Sequence, residues 1–156
     1  MAKLTSRNPM EEKCHWVEGV DLTSGDVDDL FTVAGGPVRV LFIGLEITTA
    51  VSNNACLINF ESDPTNGAAN TDISAAGGAP DLALGALGDW FYVDGVSTDV
   101  AIKAANGTAL PKCNSNFGTI IPEGGIDMKL STANPTTGAA TAYIRYQPLT
   151  SDARVV

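Results

Sequence analysis

Apolar and polar positions alternate with period two along much of this chain. Between Ile126 and Ser131, Ile126, Met128 and Leu130 alternate with Asp127 and Lys129. Between Thr141 and Leu149, either Ala142, Ile144 and Tyr146 or the opposite set, Tyr143 and Arg145, face inward. Successive side chains of a strand point to opposite faces, so the pattern predicts strands with one buried face and one wet face. Val38–Ala50 differs, being apolar without a break from Val40 to Ile43. It reads as a central strand, and Gly44 in its middle marks a bulge or a close backbone approach. After the Ser52-Asn53-Asn54 turn, Ala55–Phe60 is expected to return as its hairpin partner.

Shorter strands are expected at Trp90–Val93, Val100–Ala105, Thr108–Cys113 and Thr119–Ile121, with Asn106-Gly107 as a hairpin turn. Residues 61–80 read as a loop anchored by Ile73, and Leu82, Leu84 and Leu87 as a strand or one amphipathic turn. Thr23, Ser24 or Asp26 is placed to cap a single helical turn, which Gly25 opposes. Roughly eight short strands with Gly and Asn turns and no helical period predict an all-β fold, an antiparallel β-sandwich or jelly roll. Residues 1–16 are polar, aperiodic and broken by Asn8-Pro9, and read as an extended N-terminal arm. Residues 17–156 are expected to form the β-sandwich domain.

The order of these elements is distinctive. A glycine-led strand (GGPVRVLFIGLEITTA) precedes an apolar segment ending in an acidic-Pro turn (INFESDPT). A WFYV strand follows, then the closing stretch TIIPEGGIDMKLSTANPTTGAATAYIRYQPL. Over about residues 30–150 this resembles small virion structural proteins of tailed bacteriophages, of the type that decorate or cement the capsid. The resemblance implies a sandwich protomer, usually oligomeric, on the capsid surface. Its partners would be the major capsid protein and its own copies, with a trimer suited to local threefold axes. It brings no catalytic residues. A tail- or fibre-borne module that recognises receptor or glycan is the alternative.

Charge narrows the partners. The chain of 156 residues carries a net charge of −9. Residues 1–16 hold Lys3, Arg7 and Lys13 against Glu11 and Glu12, and the other 140 residues hold six basic and sixteen acidic groups. Such a body repels phosphate backbones, so no nucleic-acid partner is expected. No apolar run approaches the ~18 residues of a membrane span, and no apolar signal segment opens the chain, so no membrane partner is expected and synthesis and folding are assigned to a host cytoplasm. The mildly basic arm opposes the acidic body. Lys3, Arg7, Lys13 and Trp16 are therefore the candidate partner-binding residues, with Trp16 as the anchor where the arm leaves the sandwich.

Chemistry-bearing residues are sparse. His15 is the single histidine and adjoins Cys14, but neighbours in an extended chain point to opposite sides, so a thiol–imidazole pair is not expected. Cys14, Cys56 and Cys113 fit no zinc spacing, and read as free thiols, with Cys56 buried and Cys14 reactive. Asp21, Asp26, Asp28 and Asp29, and separately Asp63, Asn66, Asn70 and Asp72, are loose candidates for Ca²⁺ without EF-hand spacing, and read first as solvated Asx turns. Trp16, Trp90, Phe91 and Tyr92 offer a possible aromatic platform for sugar, although an aromatic strand is more often core. The expectation is a non-enzymatic protein without cofactor or metal.

Overall fold

A computed structural model describes residues 11–74, 79–93, 102–104 and 118–156, and for 102–104 the backbone alone. The described chain is all-β. Its strands are β1 (Lys13–Asp21), β2 (Val27–Ala34), β3 (Val38–Thr49), β4 (Cys56–Pro64), β5 (Thr71–Asp72), β6 (Trp90–Val93), β7 (Ile102–Ala104), β8 (Thr119–Ile121), β9 (Gly124–Thr132), β10 (Ala139–Pro148) and β11 (Arg154–Val155). They form two antiparallel sheets. The larger runs β1-β10-β3-β6-β7, with β8 also paired to β3; the smaller runs β11-β2-β9-β4-β5.

Inward alternation from both sheets builds one core. β4 is the clearest case: Cys56, Ile58 and Phe60 are fully buried, Ser62 lies beside them at 3% exposure, and the residues between turn outward. From β10, the set Ala140, Ala142, Ile144 and Tyr146 faces in. From β3, Val40, Ile43, Leu45 and Ile47 do so, and the three-residue step from Val40 to Ile43 has a cause. β10 pairs Tyr146 with Val40 but Arg145 with Phe42, so Leu41 is an extra residue in a bulge. The bulge inverts the alternation and turns Phe42 outward. Each fully buried Phe, such as Phe31, Phe60 or Phe91, contributes about 1.5–3 kcal/mol of burial.

Two expected neighbours separate. β3 and Cys56–Phe60 do not form a hairpin: β3 lies in one sheet, and β4 pairs with β9 and β5 in the other. Both strands have a whole face to bury, and facing one another across the core satisfies both where pairing side by side would not. β9 and β10, consecutive in the chain, likewise lie in different sheets. The two crossing segments clasp each other. Ser52 N–H donates to the Thr137 carbonyl at 3.1 Å, Thr136 N–H to Ser52 Oγ at 2.8 Å, and Asn54 Nδ2 to the Asn134 carbonyl at 3.2 Å.

Part of the segment assigned to the arm, residues 13–16, is strand. Lys13, Cys14, His15 and Trp16 belong to β1 and pair with Tyr146, Arg145, Ile144 and Tyr143 of β10. Val17 and Val20 supply the apolar positions that seat this strand, and they lie beyond the polar stretch from which the arm was read. Residues 1–10, with Lys3 and Arg7, are outside the described residues. So are the Asn106-Gly107 hairpin and Cys113. No helical turn forms at 23–26; Asp21 instead closes a turn by accepting from Thr23 N–H at 2.8 Å and Thr23 Oγ1 at 2.7 Å. Ile73 is buried as its loop's anchor, Leu82 is buried, and Leu84 and Leu87 are exposed.

Candidate functional site

The outer face of the larger sheet carries an unusual load of aromatic side chains. Register explains it. Trp16 on β1 lies opposite Tyr143 on β10, Tyr143 opposite Gly44 on β3, and Gly44 opposite Tyr92 on β6. One row along, Cys14 lies opposite Arg145, and Arg145 opposite Phe42. A third row joins Thr141, Glu46 and Trp90. Directly opposed residues of an antiparallel pair share a face, so these side chains form a single surface.

Phe42 and Tyr92 stack at 5.6 Å between ring centroids, Phe42 and Trp90 tilt at 6.3 Å, and Trp90 and Tyr143 approach to 5.1 Å. These are separations at which aromatic pairs attract beyond simple burial. Phe42 and Tyr92 are each only 6% exposed although they lie outside the main core. Gly44 makes the arrangement possible. A Cβ there would stand 2.7 Å from Tyr92 Cβ, 3.0 Å from the Phe91 carbonyl oxygen and 3.1 Å from Phe42 Cζ. The close approach expected at this glycine is real, and the bulge lies three residues earlier at Leu41.

Between β1 and these rings runs a groove of about 300 Å³ lined by Cys14, His15, Phe42, Trp90, Tyr143, Ile144 and Arg145. Its walls are almost wholly apolar. Tyr143 donates its hydroxyl to Glu46 Oε2 at 3.2 Å, and burial, that hydrogen bond and the charges of Glu46 and Glu18 raise its phenol above the ordinary value. Arg145 is the charged group in the lining. Its Nε lies 3.7 Å from Glu12 Oε2, and Nε and Nη2 are buried without a hydrogen-bond partner.

Of the residues singled out in the sequence, Lys13 and Trp16 lie on β1, both exposed, with Trp16 at 56%. Trp90 and Tyr92 belong to the aromatic surface, whereas Phe91 points into the core at 0%. Phe42, Tyr143 and Arg145 were not anticipated as parts of a site. The open alternatives for β10 left the outward set undecided, and the Leu41 bulge that turns Phe42 to the outer face leaves no mark in composition. Cys14 and His15 do diverge: Cys14 is exposed, and His15 meets Phe31 edge to face at 6.0 Å across the core side. Burial, with the nearby charges of Asp81 and Asp26, pushes the Cys56 thiol up to about 11.

The acidic residues organise around a lysine. Lys129 Nζ lies 2.7 Å from Asp28 Oδ1, 3.3 Å from Asp127 Oδ2 and 3.9 Å from Asp26 Oδ2. Asp127 also accepts from Asp29 N–H at 2.9 Å, and Asp26 from Leu130 N–H at 2.7 Å. These carboxylates staple β2 to β9, and hydrogen bonds to Asp28 and Asp127 raise the lysine's pKa. In the second loop, Asn66 closes an Asx turn to Ala68 N–H, and Asp72 accepts from Asn59 Nδ2. Among the described residues no three His, Cys, Asp or Glu side chains are placed to hold a metal ion together.

Comparison with protein-family models, curated proteins and solved structures yields no match.

Proposed function

We propose that this chain is a virion structural protein of tailed bacteriophages, a capsid decoration protein that binds the major capsid protein and its own copies on the head surface. One structural observation supports the reading above the rest. The larger sheet turns an aromatic, largely apolar face outward, next to an exposed edge strand bearing Trp16. Aromatic side chains concentrate where proteins meet, because they bury much area for little lost rotamer freedom. The other support is the resemblance carried by residues 30–150. Residues such as Lys129 and the aspartates around it hold strands together, and Cys14 and His15 face apart, so the arrangement favours attachment over catalysis. Self-association as a trimer on local threefold axes belongs to the same proposal.

A second reading has its own observation. Trp90, Tyr143 and Phe42 surround a groove of monosaccharide size, which favours a tail- or fibre-borne glycan-binding module. Pelleting purified protein with phage heads that lack it separates the two. The decoration reading expects saturable binding to heads that is lost in Trp16→Ala. Failure to pellet, together with retention on a glycan array lost in Trp90→Ala, would replace it with the second reading.

A further inference from the structure

Among the described residues β1 is the longest strand at a sheet edge, nine residues paired on one side to β10. Elsewhere among the described residues the sheet edges are short or guarded. β5 and β11 span two residues each, and β7 and β8 three. β4 is covered by backbone bonds from Ile58 N–H to the Pro80 carbonyl and from Leu82 N–H to the Cys56 carbonyl. β2 interrupts its edge at Asp29, whose φ is 51°. Proteins blunt their edges in these ways because an open strand invites another strand to pair. β1 is left open.

Arg145 supplies a second, independent observation. Its Nε–H and Nη2–H lie on one side of the guanidinium, the side-on fork that takes both oxygens of a carboxylate. Both are buried without a hydrogen-bond partner, and Glu12 Oε2, just before β1, makes a loose ion pair with Nε at 3.7 Å. Arg145 pairs with Cys14, the smallest side chain in its row. A strand added to β1 would set a residue opposite Cys14 about 10 Å from the Arg145 backbone, two strand spacings away. A long acidic side chain at that position has the reach to pass over Cys14 and, by displacing Glu12, to meet the fork.

We propose that β1 accepts an extended segment of a protein partner by strand addition, with a Glu of that segment opposite Cys14 held side-on by Arg145. The net charge of −9 repels a generally acidic partner, so the segment carries one carboxylate in an otherwise neutral or basic strand. Main-chain hydrogen bonds give the affinity and the fork gives the choice of residue, as in other strand-addition complexes. This deepens the decoration reading by naming the chemistry of the partner segment. Glu12 is the internal competitor for the same fork.

The test uses purified full-length protein and a fluorescein-labelled peptide, Lys-Thr-Val-Glu-Val-Thr-Lys, read by anisotropy. Because the readout needs no phage, its failure is distinct from failure to bind heads. The Glu peptide should bind about tenfold tighter than its Gln counterpart, the ratio expected for a charge-assisted pair. Arg145→Gln should erase that ratio while leaving the Gln peptide's weaker binding in place, and Glu12→Gln should tighten the Glu peptide. N-methylating one alternate set of peptide amides should abolish binding, and methylating the other set should not. Equal binding of Glu and Gln peptides overturns the proposal, as does indifference to both methylation patterns or no binding at millimolar peptide. A protein that dimerises and sheds the peptide as it does so puts a second copy on β1, and also overturns it.

Discussion

Replacing Gly44 by alanine tests how closely the outer aromatic face is fitted to the sheet beneath it. Opposed Cβ atoms in an antiparallel pair ordinarily stand about 4.5–5.5 Å apart. An added Cβ at Gly44 would stand 2.7 Å from Tyr92 Cβ, an atom fixed by its own backbone and unable to rotate away. β3 and β6 must therefore part, disturbing the pairs Ile43–Val93 through Glu46–Trp90 and the stacked Phe42 and Tyr92 above them. Overpacking of this kind costs about 1–3 kcal/mol. Alanine also restricts the unfolded chain, which returns about 0.4–1 kcal/mol. The steric term wins, and a net loss of about 1–2 kcal/mol should lower the melting temperature by roughly 3–6 °C for a domain of this size. Urea unfolding followed by far-ultraviolet dichroism measures it, and tryptophan fluorescence reports Trp90 locally. An unchanged or raised midpoint would refute the reasoning, since it would mean that the strands part at no cost.

Three further outcomes follow from the same structure. Ser62 Oγ is buried in the row of Cys56, Ile58 and Phe60 without a hydrogen-bond partner, so Ser62→Ala should leave stability unchanged or raise it by about 1 kcal/mol in urea titration; a clear loss would show that the hydroxyl has a partner. In a Cys113→Ser background at pH 8, a disulfide reagent should label Cys14 promptly and Cys56 only on unfolding, because Cys56 is fully buried and its thiol is pushed up to about 11. Lys129 has a folded pKa raised above its ordinary 10.5, so its contribution is fully present below about pH 10.5 and fades as pH climbs toward the folded value. Lys129→Met should cost about 2 kcal/mol at pH 7 through the lost charged hydrogen bonds, and should flatten the decline in stability that the wild type shows above pH 10.

Much of the architecture was legible because burial writes itself into alternation. Cys56, Ile58 and Phe60, Ile126 and Met128, and the inward set of β10 each carry period two, and the all-β sandwich follows from them. Which strands pair did not follow. β3 and β4 are adjacent in sequence and apolar enough to read as a hairpin, but pattern records only that a face is buried, not whether the covering layer is beside it or opposite. β1 was missed in part because Lys13, Cys14 and Trp16 are exposed edge residues with little apolar signal, while Val17 and Val20 do the seating. The candidate site was half visible. Trp16, Trp90 and Tyr92 announce themselves as aromatic; Phe42 and Arg145 join them only through the Leu41 bulge and the β10 register, which are tertiary facts.

Counting copies tests the proposed attachment to phage heads most directly. Virions separated into heads and tails and analysed by quantitative mass spectrometry should show this chain on heads, in hundreds of copies and in fixed ratio to the major capsid protein. Its presence in a few copies confined to tails, or its absence from both fractions, would contradict the claim.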